Sequence, residues 1–257
     1  GTEVAQVQAI EYPAADGFTV PAYLTLPLGR QPQNLPLVVL PHGGPQSRDY
    51  GGFEWLAQGL ASRGYAVLQP NFRGSGGYDT AFIEAGYGQW GRKMQTDLSD
   101  GIAFLASQGI VDQSRVCIMG ASYGGYAALA GVTLQRDVYR CAVAIAPVSD
   151  VRDFLAWRAV RSGEDTSTLR YWTRYLGVTD RNDRRLDEIS TVRAAGGDDA
   201  PVLLIHGRDD TIVPYQQSEA AQRALSAAGR SVELLPLRQE DHYLSREATR
   251  IQTLNAA

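Results

Sequence analysis

A serine stands between two glycines in Gly120-Ala121-Ser122-Tyr123-Gly124, with the apolar run Val116-Cys117-Ile118-Met119 directly before it and an alanine-rich stretch, 123–134, directly after. Strand, sharp turn and helix in that order form the setting that lifts a serine hydroxyl above a sheet at a helix N-terminus. A hydroxyl is a weak nucleophile at neutral pH. It needs a base to take its proton and an acid to hold that base in one tautomer. The order along the chain is expected to be serine, acid, base. Of the three histidines, only His206 and His242 follow Ser122. His206 closes the apolar run 202–205 and reads as a satisfied strand-end histidine. His242 lies on a loop in Gln239-Glu240-Asp241-His242-Tyr243, with room for an acid before it, and is the better base. The acid belongs on the turn after 202–205, where Asp209 and Asp210 both stand and spacing does not separate them.

Acyl transfer also needs two donors aimed at the developing oxyanion. The backbone N–H of Tyr123 is one. The loop His42-Gly43-Gly44-Pro45 can supply the other, because glycines let a backbone N–H turn inward. Other chemistries are less well supported. Gly74 and Gly76 do not complete a GxGxxG motif, since Asp79 holds the last position, and no Walker lysine follows Gly125. The histidines are too far apart for a zinc helix. Cys117 and Cys141 form no CxxC pair and read as buried thiols. The chemistry implied requires no metal and no organic cofactor.

These residues must be positioned by a scaffold, and its rhythm is visible. Apolar runs at 37–40, 65–68, 116–119, 141–146, 202–205 and 232–235 alternate with helical stretches at 53–62, 97–106, 123–134 and 216–228. Phe53, Leu56 and Leu60 share one face of the first of these helices. Residues 18–26 read as a weaker, alternating strand. A parallel sheet covered on both faces needs strands that are apolar throughout. The prediction is an α/β fold with a mostly parallel central sheet, helices on both faces, and its ligand site at the carboxyl ends of the strands. The segment 149–200 breaks the rhythm. It carries Trp157, Tyr171, Trp172 and Tyr175 among many charges, and predicts a helical insertion over the sheet ends, either a structural cap or a pocket wall.

Composition excludes other classes. The chain has 257 residues, 44% of them apolar and 20% charged, with a net charge of −4, which is ordinary for one globular domain. Lys and Arg are scattered, so no nucleic-acid partner is expected. No run of about 18 apolar residues predicts a membrane span. The start, Gly1-Thr2-Glu3-Val4, has neither the basic nor the apolar region of a signal peptide, so the default compartment is cytoplasmic. It also lacks Met, as a trimmed or excised chain would.

Taken together, the motifs resemble the catalytic domain of the prolyl oligopeptidase family, and within it the acylaminoacyl-peptidase-like branch. The residues that carry the resemblance are His42-Gly43-Gly44-Pro45, Asn71-Phe72-Arg73-Gly74-Ser75, Gly120 to Gly125, Ile205 to Asp210, and Glu240-Asp241-His242, and it extends over about 20–257. It implies an α/β-hydrolase fold, with residues 1–257 forming a single catalytic domain without the N-terminal β-propeller usual in the family. It implies Ser122 as nucleophile, His242 as base, and Asp210, three residues before Val213, as the acid. The Gly44 N–H would join that of Tyr123 in the oxyanion hole. Val148, Val151, Phe154 and Val213 would line an apolar first-residue pocket. Some relatives carry an arginine two residues after the acid; here that position is Ile212. A final helix longer than the chain provides is also implied. The function implied is a serine peptidase that hydrolyses short peptides or acyl-peptides through an acyl-enzyme, acylaminoacyl- or dipeptidyl-peptidase-like. Its partners would be that substrate, further copies of itself, as relatives commonly self-associate, and a missing propeller. The same triad would serve a carboxylesterase. A non-catalytic hydrolase-like binding domain would lack a triad member, and none is lacking here.

Overall fold

A computed structural model describes residues 4–163, 166–196 and 200–257. Its strands are β1 (Val7–Pro13), β2 (Thr19–Thr25), β3 (Leu35–Val39), β4 (Ala66–Pro70), β5 (Val111–Ala121), β6 (Cys141–Ile145), β7 (Val202–Gly207) and β8 (Val232–Leu237). They form one sheet in the order β1-β2-β4-β3-β5-β6-β7-β8. The β1–β2 and β2–β4 pairs are antiparallel. Every other pair is parallel. This is the mostly parallel sheet that the sequence predicts, and the fold is that of an α/β-hydrolase.

Successive side chains on a strand point to opposite faces, and here the alternation feeds two cores. Leu37, Val39, Ile118, Ala144 and Leu204 enter the larger core. Val38, Leu40, Met119, Ile145 and Ile205 enter the smaller one on the other face. After the short α2 (Thr80–Glu84), the larger core is covered by α3 (Lys93–Ser107), α4 (Tyr123–Gly131) and α8 (Gln216–Ala227), which contribute Leu98, Tyr126 and Leu225 among others. The smaller is covered by α1 (Trp55–Ser62), through Leu56 and Leu60. The final helix, α9 (Glu247–Ala256), adds Leu254. Because the central strands β3, β4, β6 and β7 are buried on both sides, no polar alternation is tolerated there, which is why their runs are legible in the sequence.

Three readings are corrected. Phe53 lies outside α1 and is 72% exposed, because the Glu54 carboxylate caps the helix by accepting from the Ala57 N–H at 2.7 Å. The edge strand β1 goes unread because most of its side chains are exposed and only Tyr12 is fully buried. Cys117 and Cys141 are a disulfide rather than two thiols. Parallel pairing of β5 with β6 sets them opposite each other, Cα to Cα 4.8 Å, although 24 residues separate them along the chain.

Between β6 and β7 the chain makes α5 (Val151–Ser162), α6 (Ser167–Leu176), the single turn α7 (Arg185–Glu188) and a 3₁₀ turn (Thr191–Ala194). This is the predicted helical insertion. Asp150 and Thr166 start α5 and α6 as side-chain caps, and Gly177 ends α6 in the left-handed region. Phe154 of α5 meets Trp172 of α6 edge-on at 4.9 Å.

The loop after β4 is pinned from inside. Arg73 donates to Asp97 of α3 from its backbone N–H, from Nε and from Nη2. It also forms a two-pronged pair with Asp16 through Nη1 and Nη2 at 2.9 Å. The Asp97 side chain is fully buried. Removing one partner leaves the other charge uncompensated in a low-dielectric interior. Arg73→Met is therefore expected to lower unfolding free energy in urea by about 3–5 kcal/mol. The double variant Arg73→Met/Asp97→Leu should lose clearly less.

Candidate active site

The carboxyl ends of β3, β5, β7 and β8 meet at one cavity of ≈480 Å³. Ser122 lies at its floor, directly between β5 and α4. Its backbone is held at φ 60°, ψ −117°, a conformation that L residues rarely adopt and that costs about 1–3 kcal/mol. Two backbone bonds fix it there: the Ser122 N–H donates to the Ile145 carbonyl at 2.9 Å, and its own carbonyl accepts from the Tyr126 N–H. The turn is possible only because Gly124 lacks a side chain. A Cβ there would stand 2.1 Å from the Pro41 carbonyl oxygen.

His242 lines the same cavity. Its Nδ1 donates to Asp210 Oδ2 at 2.6 Å, which leaves Nε2 of the neutral ring as an acceptor. No hydrogen bond joins Ser122 and His242 among the described residues, a looseness common in unliganded sites. The His242 loop is tied down by Glu240, whose buried carboxylate accepts from the N–H groups of Asp241, Ser245 and Arg246 and from the Thr249 hydroxyl. Gly207 lets this loop lie against the end of β7: a Cβ there would meet the Glu240 carbonyl oxygen at 2.4 Å.

Geometry separates the two aspartates that spacing did not. Asp209 is exposed and contributes its N–H to the Glu240 carbonyl. The Asp210 side chain is fully buried and takes four donors. Oδ1 accepts from the N–H groups of Ile212 and Val213 at 2.8 and 2.9 Å. Oδ2 accepts from both His242 Nδ1 and His206 Nε2, the latter at 3.2 Å. Burial alone would push this carboxyl up. The hydrogen bonds from His206 and His242 and the Val213 N–H outweigh it and hold the group well below the usual carboxylate range. His206 is the fully buried, satisfied histidine expected: Nε2 also reaches the Val213 carbonyl, and Nδ1 faces the Ser218 hydroxyl at 2.7 Å. Its bond to Asp210 is the part that the sequence reading missed; four-residue spacing across a turn after a strand is the only signal for it.

The loop 42–45 lies against the serine. A Cβ on Gly43 would stand 3.4 Å from Ser122 Cβ and 4.0 Å from Oγ. The Tyr123 N–H, at the first position of α4, has no acceptor within its helix. The Gly44 N–H likewise donates to nothing among the described residues. Two free N–H groups thus belong to the segments that flank Ser122.

Of the four pocket residues implied by resemblance, Phe154 and Val213 line the cavity. Val148 and Val151 do not; both are packed in the larger core, 1% and 0% exposed. Val151 opens α5 with its N–H bound to Ser190 Oγ, a start that seats its side chain in the core. Trp172 and Ile212 add apolar surface to the cavity, which Glu54, Trp55 and Tyr243 also line. Only proximity in three dimensions finds these. Among the described residues no group of three His, Cys, Asp or Glu is gathered to hold a metal, and no helix is long and apolar enough to cross a membrane.

The profile of the prolyl oligopeptidase family matches residues 52–257. Dipeptidyl aminopeptidase BIII of Pseudoxanthomonas mexicana is 34% identical over 253 residues, covering 92% of this chain and 35% of that protein. The human acylamino-acid-releasing enzyme is 29% identical over 222 residues, 82% of this chain and 29% of its own length. A solved puromycin-hydrolysing peptidase of Mycobacterium tuberculosis superposes with a TM-score of 0.87 at 30% identity, over 98% of this chain and 38% of that one. The chain therefore spans about a third of the length of these relatives.

A second cavity of ≈210 Å³ adjoins the first behind loop 42–45, and Asp49 and Glu54 both line it. Burial pushes the Asp49 carboxyl up to about 7, with the Glu54 charge adding to the rise and a hydrogen bond from Gln69 opposing it. A folded-state pKa above the unfolded one disfavours folding once pH rises through it. Asp49→Asn is accordingly expected to stabilise the protein by about 2 kcal/mol at pH 8.5, allowing for partial solvent access, and by much less at pH 5. Urea unfolding at the two pH values measures this; an equal effect at both would show that Asp49 does not titrate there.

Proposed function

This chain belongs to the prolyl oligopeptidase family, and from that premise we propose that its cavity hydrolyses short peptides through Ser122, His242 and Asp210. The observation that carries the reading is one arrangement: a serine on a strained turn shares a cavity with an imidazole whose far nitrogen is bound to a buried, ionised carboxylate. Ser122 Oγ attacks the peptide carbonyl as His242 Nε2 takes its proton. The ionised Asp210 stabilises the imidazolium and keeps Nδ1–H pointed away from the serine. The N–H groups of Tyr123 and Gly44 receive the oxyanion. The imidazolium returns its proton to the leaving amine, and the bond from carbon to nitrogen breaks. Water, deprotonated by His242, then clears the acyl-enzyme.

The wall of Phe154, Trp172, Ile212 and Val213 favours a bulky apolar side chain on the residue that supplies the acyl group. Dipeptidyl and acylamino-acid-releasing modes are both named among the relatives. The greater length of those relatives supports a further domain working beside this one, and we assign residues 1–257 to the catalytic part.

A fluorophosphonate probe is expected to add once to the wild-type protein and not at all to Ser122→Ala, read by intact mass. Absence of the adduct from wild type would refute the reading. Asp210→Asn, which leaves the His242 ring without its charged partner, should lower kcat by about 10⁴-fold with little change in KM. On acyl-aminoacyl and dipeptidyl anilides, a Phe or Leu at the cleaved position should exceed Asp in kcat/KM by more than about 10-fold. The opposite order would reject the pocket assignment.

A further inference from the structure

The cavity has a second wall that the proposed acyl pocket does not use, and it grows from the other face of the sheet. Phe154 and Val213 belong to the larger core, with Trp172 and Ile212 packed against it. Leu56 and Leu244 belong to the smaller core, with Trp55 packed against it. The two cores lie on opposite faces, so the cavity spans the end of the sheet. Ser122, at the end of β5, stands between its walls. The loop of His242 joins the second wall: Tyr243 meets the imidazole edge-on at 5.5 Å, and Leu244 enters the smaller core. In the mechanism proposed above, this imidazole returns its proton to the leaving amine. On that reading the leaving group runs along Trp55, Tyr243 and Leu244, across the serine from the acyl side chain.

That wall carries one charge. Among the described residues, Glu54 is the only carboxylate lining the cavity, and no Lys or Arg lines it. Glu54 accepts from the Ala57 N–H, yet no Lys or Arg of the described residues forms an ion pair with it. Arg250 attracts it only from a distance. The Arg250 Nε donates to the Leu244 carbonyl at 2.6 Å, and its guanidinium carbon lies 5.7 Å from the centre of the Trp55 ring. Behind Glu54, in the adjoining cavity, Asp49 Oδ2 is buried and accepts from no donor among the described residues. The two carboxylates repel each other, and the Glu54 charge adds to the upward push on the Asp49 carboxyl. A cation brought to Glu54 relieves that repulsion. Trp55 and the exposed Tyr243 offer aromatic surface for an aliphatic stem, with ring faces that attract a cation. We propose that Glu54 is a specificity-determining residue on the leaving-group side, and that the cavity favours peptides with Lys or Arg in the first position after the cleaved bond. The inference rests on the peptidase reading of Ser122 and His242. It gives the cavity two unlike halves, an apolar one for the acyl residue and an acidic one for the residue released.

Acetyl-Phe-Xaa amides with Lys, norleucine or Glu as Xaa hold the acyl side constant. Norleucine keeps the stem of lysine without its ammonium. At pH 8 the wild type should prefer Lys over norleucine by about fivefold in kcat/KM, and over Glu by more than about tenfold. Two variants separate charge from helix capping. Asp and Asn are both strong N-caps, so Glu54→Asp and Glu54→Asn each keep α1, but only the first keeps the charge. Glu54→Asp should hold the ratio of Lys to norleucine above about threefold, and Glu54→Asn should bring it to about one. Each ratio is taken within one variant, so a change in folded fraction does not move it. Acyl transfer reads the same subsite in reverse. Acetyl-Phe methyl ester forms the acyl-enzyme, and an added amine attacks it in place of water. The amine proton passes to His242 and on to Ser122 Oγ as the serine ester breaks and a peptide bond forms. Lysinamide should divert the acyl-enzyme from water about fivefold better than norleucinamide, and Glu54→Asn should abolish the difference. If the ester is cleaved but the amides are not, the transfer ratios decide. The proposal is overturned if the wild-type ratio is one or less in either assay, or if the Asp and Asn variants give the same ratio. If wild type neither takes the fluorophosphonate nor hydrolyses the ester, the functional reading fails first, and the inference with it. If it does both and its ratios stay near one, only the inference fails.

Discussion

Among the glycines of the described residues, the tightest setting is that of Gly124, where an added β-carbon would stand 2.1 Å from the Pro41 carbonyl oxygen. No side chain fits between the end of β3 and the first turn of α4, so backbone packs on backbone. Two consequences follow from that contact. It braces the strained turn at Ser122, whose backbone spends about 1–3 kcal/mol of conformational energy. It also sets the loop 42–45 directly against the serine, because that loop is the immediate continuation of Pro41. The proposed nucleophile and the proposed oxyanion donors thus follow two neighbouring strands whose separation is fixed by the sheet. Catalysis depends on close positioning, and here the loop and the turn that supply it are short continuations of rigid strands.

The third strand end supplies the acid on different terms. Asp210 is buried, and a buried carboxylate is stable only when its oxygens are satisfied. Here the two N–H groups of its own turn and two imidazoles satisfy them. His206 and the turn hold Asp210 independently of its bond to His242. Glu240 does for the His242 loop what the turn does for Asp210, by gathering backbone N–H groups around one buried carboxylate. Arg73 and Asp97 repeat the device with a fully charged pair under the loop that carries Phe72 and Ser75. Each loop that touches the site is therefore anchored from below by a buried polar group, and the anchors lie outside the cavity.

The sequence makes the sheet legible because a strand covered on both faces has no freedom to be polar. Ser122 is legible because strand, glycine-flanked serine and helix coincide within nineteen residues, 116–134. Edge strand β1 is not, since exposure relaxes its pattern. The disulfide escapes because pairing of parallel strands joins residues 24 apart without any local mark. Choosing Asp210 over Asp209 needs either a family pattern or the observation that one side chain turns inward. Val148 and Val151 show the limit of transferring a pocket by motif: their neighbour Phe154 reaches the cavity, while they fill the core beneath it. A motif fixes where the chain goes, but which face of a helix meets solvent depends on what packs behind it.

That packing couples specificity to chemistry at one point. The turn whose N–H groups hold Asp210 presents the side chains of Ile212 and Val213 to the cavity. The same two residues therefore hold Asp210 through their backbone and shape the cavity through their side chains. A change of side chain at either position reshapes the pocket without removing a donor from Asp210, provided the turn keeps its φ and ψ. Phe154 and Trp172 contribute to the opposite part of the wall from the helical insertion, and they share no hydrogen bond with the triad. The insertion can thus vary in sequence and length while the sheet ends stay constant. The proposed substrate pocket is then built by helices that the proposed triad does not depend on, and by two side chains on a turn whose backbone it does.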